Sequence, residues 1–136
     1  MQTPVKINVL DTKKVPIGIS IPLTESSTAF FAQTYSTADQ YKTNILNLIM
    51  TAKGERRMVP SYGSNIRKRV FEQDTNLIDV LRNDIETAFS EWMPEVTIVN
   101  LEVYKRNDND HAFLIKLFYS LPFNSDIVYQ IEAEIK

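Results

Sequence analysis

The sequence predicts an α+β fold, in which two long helices and a short one pack on a C-terminal three-stranded antiparallel meander after an extended N-terminal arm. Three observations carry this reading. Two stretches place apolar residues at helical spacing and stop at a helix breaker. After Pro94 the apolar period changes from 3.6 to 2. The first 36 residues, rich in Thr, Ser and Pro, show neither period.

Within the arm, residues 18–23 (Gly-Ile-Ser-Ile-Pro-Leu) read as a short extended piece that Pro22 confines to an edge. Phe30 and Phe31 are expected to anchor the arm on the surface or on a neighbour. The first helix starts at Thr37, read as its cap, and buries a stripe of Tyr41, Ile45, Leu48, Ile49 and Ala52. Gly54 stops it. An irregular stretch over residues 55–63 is punctuated by Pro60 and Gly63. A short helix follows over residues 65–71, with Ser64 as its cap. The second long helix begins at Asp74 or Thr75 and buries Leu77, Ile78, Leu81, Ile85, Ala88, Phe89 and Trp92 before Pro94 ends it.

The sheet strands read by alternation. Val99, Leu101 and Val103 share one face of the first strand. A turn at residues 107–110 (Asn-Asp-Asn-Asp) leads to Phe113, Ile115, Leu117, Tyr119 and Leu121 on the second. A loop over residues 122–126 leads to Ile127, Tyr129, Ile131, Ala133 and Ile135 on the third. Short links between three alternating strands make a meander, and segregated helices cover one of its faces. The expected division is an arm over residues 1–36 and one α+β domain over residues 37–136.

Composition sets limits on function. The chain has 136 residues, 43 % apolar and 24 % charged, enough for one domain that folds without metal or disulfide. It has no cysteine, which removes disulfides, thiolate nucleophiles and Cys-based zinc sites and suits assembly in a reducing cytoplasm. Apolar runs such as Leu48-Ile49-Met50 fall far short of the roughly 20 residues that span a bilayer. The N-terminus lacks a basic segment followed by an apolar one, so no secretory signal is read there. A net charge of −2 argues against a general nucleic-acid binder. Between Lys53 and Arg69, however, six basic residues stand against the single acid Glu55, a local balance of +5 that leaves −7 for the rest. Such a basic belt on an acidic body is an electrostatic address for a partner.

Catalytic chemistry finds little support. His111, the only histidine, sits after the Asn-Asp-Asn-Asp turn and reads as a solvated loop residue, because no partner converges on it. Asp108 and Asp110 begin like a calcium loop, but no Gly or Glu follows at the required positions. A glycosidase pair could be drawn from Glu72 with Asp74, or from Glu55 with Glu72. Nothing places either pair in a cleft. Only three glycines occur, and none forms a phosphate-cradling motif or a nucleophile elbow. The expectation is a protein without catalytic residues, cofactor or metal.

Residues 44–72 (NILNLIMTAKGERRMVPSYGSNIRKRVFE) carry a denser signal. Asn44-Ile45, Leu48-Ile49, Thr51, Gly54-Glu55-Arg56, Pro60, Tyr62-Gly63-Ser64 and Phe71-Glu72 fall at fixed spacings. This pattern resembles the signature of the baseplate wedge, or sheath-initiator, family of contractile phage tails. The piece at residues 18–23 is similar to the family's G-x-S-F-P-F segment, so the resemblance runs from about Gly18 to the C-terminus. It implies a structural protein of phage baseplates, type VI secretion systems and related contractile injection devices. Such a protein sits where the wedge meets the tube–sheath junction. Its sheet would resemble the handshake domain of sheath subunits, and arms of the first sheath ring would add strands to it. Older descriptions give the family a lysozyme activity, which the residues here do not support. The family's Glu-Pro-Arg triplet after the second long helix, which contacts the wedge core, reads Met93-Pro94-Glu95 here. Only the proline matches, with Glu91 or Glu95 as candidates to replace part of the contact.

The resemblance therefore implies wedge-neighbour contacts at Glu55, Arg56, Pro60, Gly63, Pro94 and Glu95. It leaves Arg67, Lys68 and Arg69 open between a partner surface and a solvated helix. A fourth strand would add along Ile127, Tyr129, Ile131, Ala133 and Ile135, since no proline blunts that strand. An internal strand or a protected edge remains the alternative. The implied partners are other baseplate wedge proteins, the first ring of sheath protein and, as a further candidate, the tail tube, with no nucleic acid and no membrane. The implied location is the tail baseplate of a virion, assembled in the host cytoplasm. A part of a type VI or other contractile injection system is the alternative, and a baseplate muramidase is a more distant one.

Overall fold

The computed structural model describes residues 16–26, 30–69, 76–105 and 112–135. The elements run β1 (Gly18–Ile19), β2 (Gln33–Thr34), α1 (Thr37–Met50), α2 (Ile66–Arg69), α3 (Leu77–Trp92), β3 (Thr97–Lys105), β4 (Phe113–Leu121) and β5 (Asn124–Ile135). The α+β class and the C-terminal meander are as the sequence predicts. The chain divides into two compact units, residues 1–45 and 46–136, with the boundary inside α1.

In the first unit, β1 and β2 form a small antiparallel ladder, Gly18 opposite Thr34 and Ile19 opposite Gln33. The described part of the predicted arm is thus folded on itself. Phe30 is 91 % exposed and Phe31 half exposed, so neither anchors the arm within this unit. The Thr34 hydroxyl donates to Gln40 Oε1 at 2.6 Å, and Gln40 Nε2 donates to Asn44 Oδ1 at 2.9 Å. The cap of α1 is Ser36 rather than Thr37. Ser36 Oγ accepts the Asp39 N–H at 3.1 Å, and its hydroxyl donates to Asp39 Oδ2 at 2.6 Å, a reciprocal box across the first turn.

In the second unit, the helices supply Leu48, Ile49, Ile66, Leu81, Ile85, Ala88 and Phe89 to the core. Ile78 falls outside the α3 stripe and stays exposed. The predicted start of α3 at Asp74 or Thr75 lies outside the described residues, as does the end of the short helix at Phe71. Ser64 does not cap that helix: its hydroxyl donates to Ile49 O at 2.8 Å instead.

The sheet order is β3-β4-β5, antiparallel throughout. Phe113, Ile115, Leu117, Tyr119 and Leu121 on β4 are all buried, flanked on the same face by Leu101 and Val103 of β3 and by Ile131, Ala133 and Ile135 of β5. Full burial of each large aliphatic side chain contributes roughly 1.5–3 kcal/mol, so this face is a large share of what stabilises the unit. On the opposite face Lys116 pairs with Glu132 directly across the ladder at 3.2 Å.

Two irregularities correct the alternation read from sequence. Ile98 lies opposite Tyr119 and Asn100 opposite Phe118, which makes Val99 the extra residue of a β-bulge. A bulge reverses the parity of everything before it, so Val99 is 54 % exposed rather than buried with Leu101 and Val103. At the other hairpin, Leu121 pairs with Asn124 across a tight turn at Pro122-Phe123, not across a loop of residues 122–126. Ser120 then pairs with Val128, leaving residues 125–127 as the excess on β5. Ile127 belongs to that excess and is 47 % exposed. The predicted turn at residues 107–110 and His111 lie outside the described residues.

Candidate functional site

The loop from Thr51 to Ser64 is closed by its own main chain. The Ser64 N–H donates to Thr51 O at 2.9 Å, the Lys53 N–H to Ser64 O at 3.3 Å, and the Gly54 N–H to Pro60 O at 2.7 Å. Ala52 and Ser64 form an isolated parallel bridge at the neck. Of the predicted residues in the loop, Glu55, Pro60 and Gly63 have a place in this closure. The Glu55 carboxylate accepts the Ala52 N–H at 3.0 Å, and Pro60 supplies the carbonyl for Gly54. Gly63 has φ +113°, and a Cβ there would strike the Thr51 carbonyl oxygen. Only glycine lets the returning chain pass so close. Gly54, at φ +89°, has open space around it and needs glycine for conformation alone.

What the closed loop presents outward are the residues between these fixed points. Arg56, Arg57 and Met58 are exposed, Met58 by 94 %. The Arg56 guanidinium lies over the Tyr62 ring, 3.9 Å from its centroid, and Tyr62 packs edge-on against Trp92 at 5.1 Å. Burial raises the Tyr62 pKa above the usual 10.0, and the positive charge of Arg56 partly offsets this. The Trp92 indole N–H is buried with no acceptor among the described residues. Together with an ion pair of Lys53 and Glu91 at 3.9 Å, these contacts bring the loop to the C-terminal end of α3. Pro94 and Glu95, both exposed, follow at that end, so the structure gathers the two groups of predicted wedge-contact residues on one side of the unit.

The rest of the belt divides. Arg67 and Lys68 are exposed on α2. Arg69 Nε donates to Asp84 Oδ2 of α3 at 3.2 Å, which ties α2 to α3.

The sheet offers two outer strands, and they differ. On β3, both main-chain groups of Leu101 are taken by side chains. Its N–H donates to Asn100 Oδ1 at 2.9 Å, and its carbonyl accepts Arg82 Nη2 of α3 at 3.1 Å. Leu101 is therefore turned away from β4, and by the alternation of antiparallel pairs its partner Leu117 is turned toward β5. Leu117 then bonds Ile131, and Val128, Gln130, Glu132 and Glu134 point their N–H and C=O groups to the outer side of β5. No further strand lies there among the described residues. Of the residues predicted for strand addition, Ile131, Ala133 and Ile135 are buried in the core face, and Tyr129 stacks on Tyr119 at 5.6 Å. Their side chains hold β5 in place. Sequence reading missed Arg82 and Asn100 altogether, because a bulge and a helix-to-strand bond leave no periodic trace.

A family model described as baseplate wedge protein gp25 matches residues 36–125, which spans the closed loop and most of the sheet. The chain belongs to the gp25 baseplate wedge family. It is 27 % identical over 95 residues to the baseplate wedge protein gp25 of Enterobacteria phage T4, covering 69 % of this chain and 71 % of that one. Three solved structures share the fold. One is a Geobacter sulfurreducens protein described provisionally as a tail lysozyme, with a TM-score of 0.64, 24 % identity, and coverage of 77 % of this chain and 97 % of that one. Another comes from the baseplate of the anti-feeding prophage, with a TM-score of 0.56, 18 % identity, and coverage of 86 % and 82 %. The third comes from the baseplate complex of a type VI secretion system, with a TM-score of 0.52, 11 % identity, and coverage of 71 % and 89 %. The chain is thus a baseplate wedge-type protein, as the loop signature implies.

Proposed function

We propose that this protein joins a baseplate wedge to the tube–sheath junction of a contractile phage tail and starts the sheath by accepting a strand along β5. The carrying observation is the match of the wedge family to residues 36–125, which includes the closed loop, β3 and β4 and reaches the start of β5. The loop supports contact with wedge neighbours, because its fixed residues hold Arg56, Arg57 and Met58 outward beside Pro94 and Glu95. Arginines can grip acidic helices bidentately, and an exposed methionine adapts to an apolar pocket. Strand addition is supported by the outer side of β5, where an extended segment can pair with main-chain groups. Residues 1–36 act as an arm toward a neighbour, with Phe30 and Phe31 free to dock. The partners are other wedge proteins, the first sheath ring and the tail tube, in the virion baseplate assembled in the host cytoplasm.

Gln130→Pro removes one outward N–H of β5 without removing a ladder bond, as proline is tolerated on an outer strand. Purified sheath protein is expected to polymerise on baseplates carrying the unaltered chain and to fail on baseplates carrying Gln130→Pro. Equal polymerisation on both would remove the strand-addition role. The fold shared with the anti-feeding prophage and type VI baseplates favours a second reading, a component of a headless injection device. Electron microscopy of the particle, with or without a head, separates the two.

A further inference from the structure

A sheet with two open sides is a bifunctional monomer. Its first strand edge can pair with the last strand edge of another copy, and each addition leaves an open edge at both ends, so copies add without a fixed limit unless the rotation closes a ring. A sheet with one open side can accept a single strand and then stops. The two outer strands of this meander differ in that respect. On β5, pairing with β4 is unbroken from Val128 to Ile135, so its outer side is a straight template. On β3, the bulge at Val99 breaks the line, and the next outward residue, Leu101, already has its N–H bonded to Asn100 and its C=O bonded to Arg82. Past Leu101 the strand ends at Lys105, too short a run to seat a strand. Arg82 projects from α3, so the closure is supplied by a separate element packed beside the strand. An open cleft there is lined by Arg82, Glu86, Ile98, Val99, Asn100 and Leu101.

We propose that Arg82, with Asn100, closes β3 against the β5 edge of a second copy of this chain, so that the protein extends from one side only. The purpose of this closure rests on the strand-addition reading of β5. A seed that had to be stored before its sheath arrived would otherwise consume itself, since every copy carries both the template and a strand able to occupy it. A guanidinium suits the task because its planar fork of N–H donors holds a carbonyl in a fixed geometry.

The test uses the full chain with the double substitution Arg82→Ala and Asn100→Ala, followed by sedimentation over a concentration series. The unaltered protein is expected to remain at one or two copies, the latter by β5 pairing with β5. The double variant is expected to grow with concentration into larger, open-ended species. Adding Gln130→Pro, on the opposite side of the sheet, should return it to one copy. If the double variant sediments like the unaltered chain, Arg82 and Asn100 do not guard β3. If it grows but Gln130→Pro leaves the growth unchanged, the association does not join β3 to β5 and the proposal fails, as it would for clumping through unfolding. Neither result bears on whether sheath polymerises from β5 in the unaltered baseplate, which the sheath assay reads separately.

Discussion

The loop from Thr51 to Ser64 and the C-terminal meander use their main chains in opposite ways. In the loop, the N–H and C=O groups bond inward across the neck, and side chains such as Arg56, Arg57 and Met58 are left for a partner. In the meander, the side chains of Ile131, Ala133 and Ile135 go inward, and the main-chain groups of alternate residues of β5 point outward. A surface of side chains can be tuned residue by residue for a particular neighbour. A surface of peptide groups accepts any chain in the right extended form and takes its selectivity from where the sheet allows entry. The difference explains why the recognisable residues cluster in the loop while the sheet shows only a period.

Three measurements sharpen or break that contrast. The largest effect is expected in the meander, where Leu117 is fully buried in the central strand. Leu117→Ala should lower the unfolding free energy by roughly 2–5 kcal/mol in urea titrations. A loss below about 1 kcal/mol would mean that the sheet face is not the stabilising core. Next come the two loop glycines, which separate strain from collision. Gly63→Ala combines an unfavourable φ with a clash at the Thr51 carbonyl and should cost roughly 2–3 kcal/mol. Gly54→Ala meets only the strain and should cost about 1 kcal/mol. Equal costs would show that the neck opens freely. The smallest effect concerns Tyr62, whose raised pKa means that the folded protein holds the phenol proton more tightly than the unfolded chain. Its contribution is complete below pH 10.0 and is lost as pH climbs past that value. The melting temperature of the unaltered protein should therefore fall more steeply above pH 10.0 than that of Tyr62→Phe, and parallel curves would remove Tyr62 from the linkage.

How far each region could be read from sequence follows the same division. The helical stripes of α1 and α3 and the alternation of β4 were legible because burial of one face imposes a period on residues adjacent in the chain. The signature residues were legible as a group, and their placement in one loop was recovered. Their immediate work within the fold was not legible: Glu55 and Gly63 close the neck of the loop. Their contacts with wedge neighbours remain the proposal made above. The sequence leaves Arg69 open between partner and solvent, and only the approach of α2 to α3 brings Asp84 to its side.

What the sequence determined by itself is the α+β class, the order of elements and the membership signature between Asn44 and Glu72, all of them local patterns set by side-chain period, breakers and spacing. What tertiary structure alone decided is the inequality of the two outer strands. The Val99 bulge is one residue of slippage against β4, and the Arg82 bond spans 19 residues from helix to strand. Such features depend on the register of one element against another. No run of neighbouring residues carries that information, because the free energy that fixes a register is shared between strands that meet only after folding.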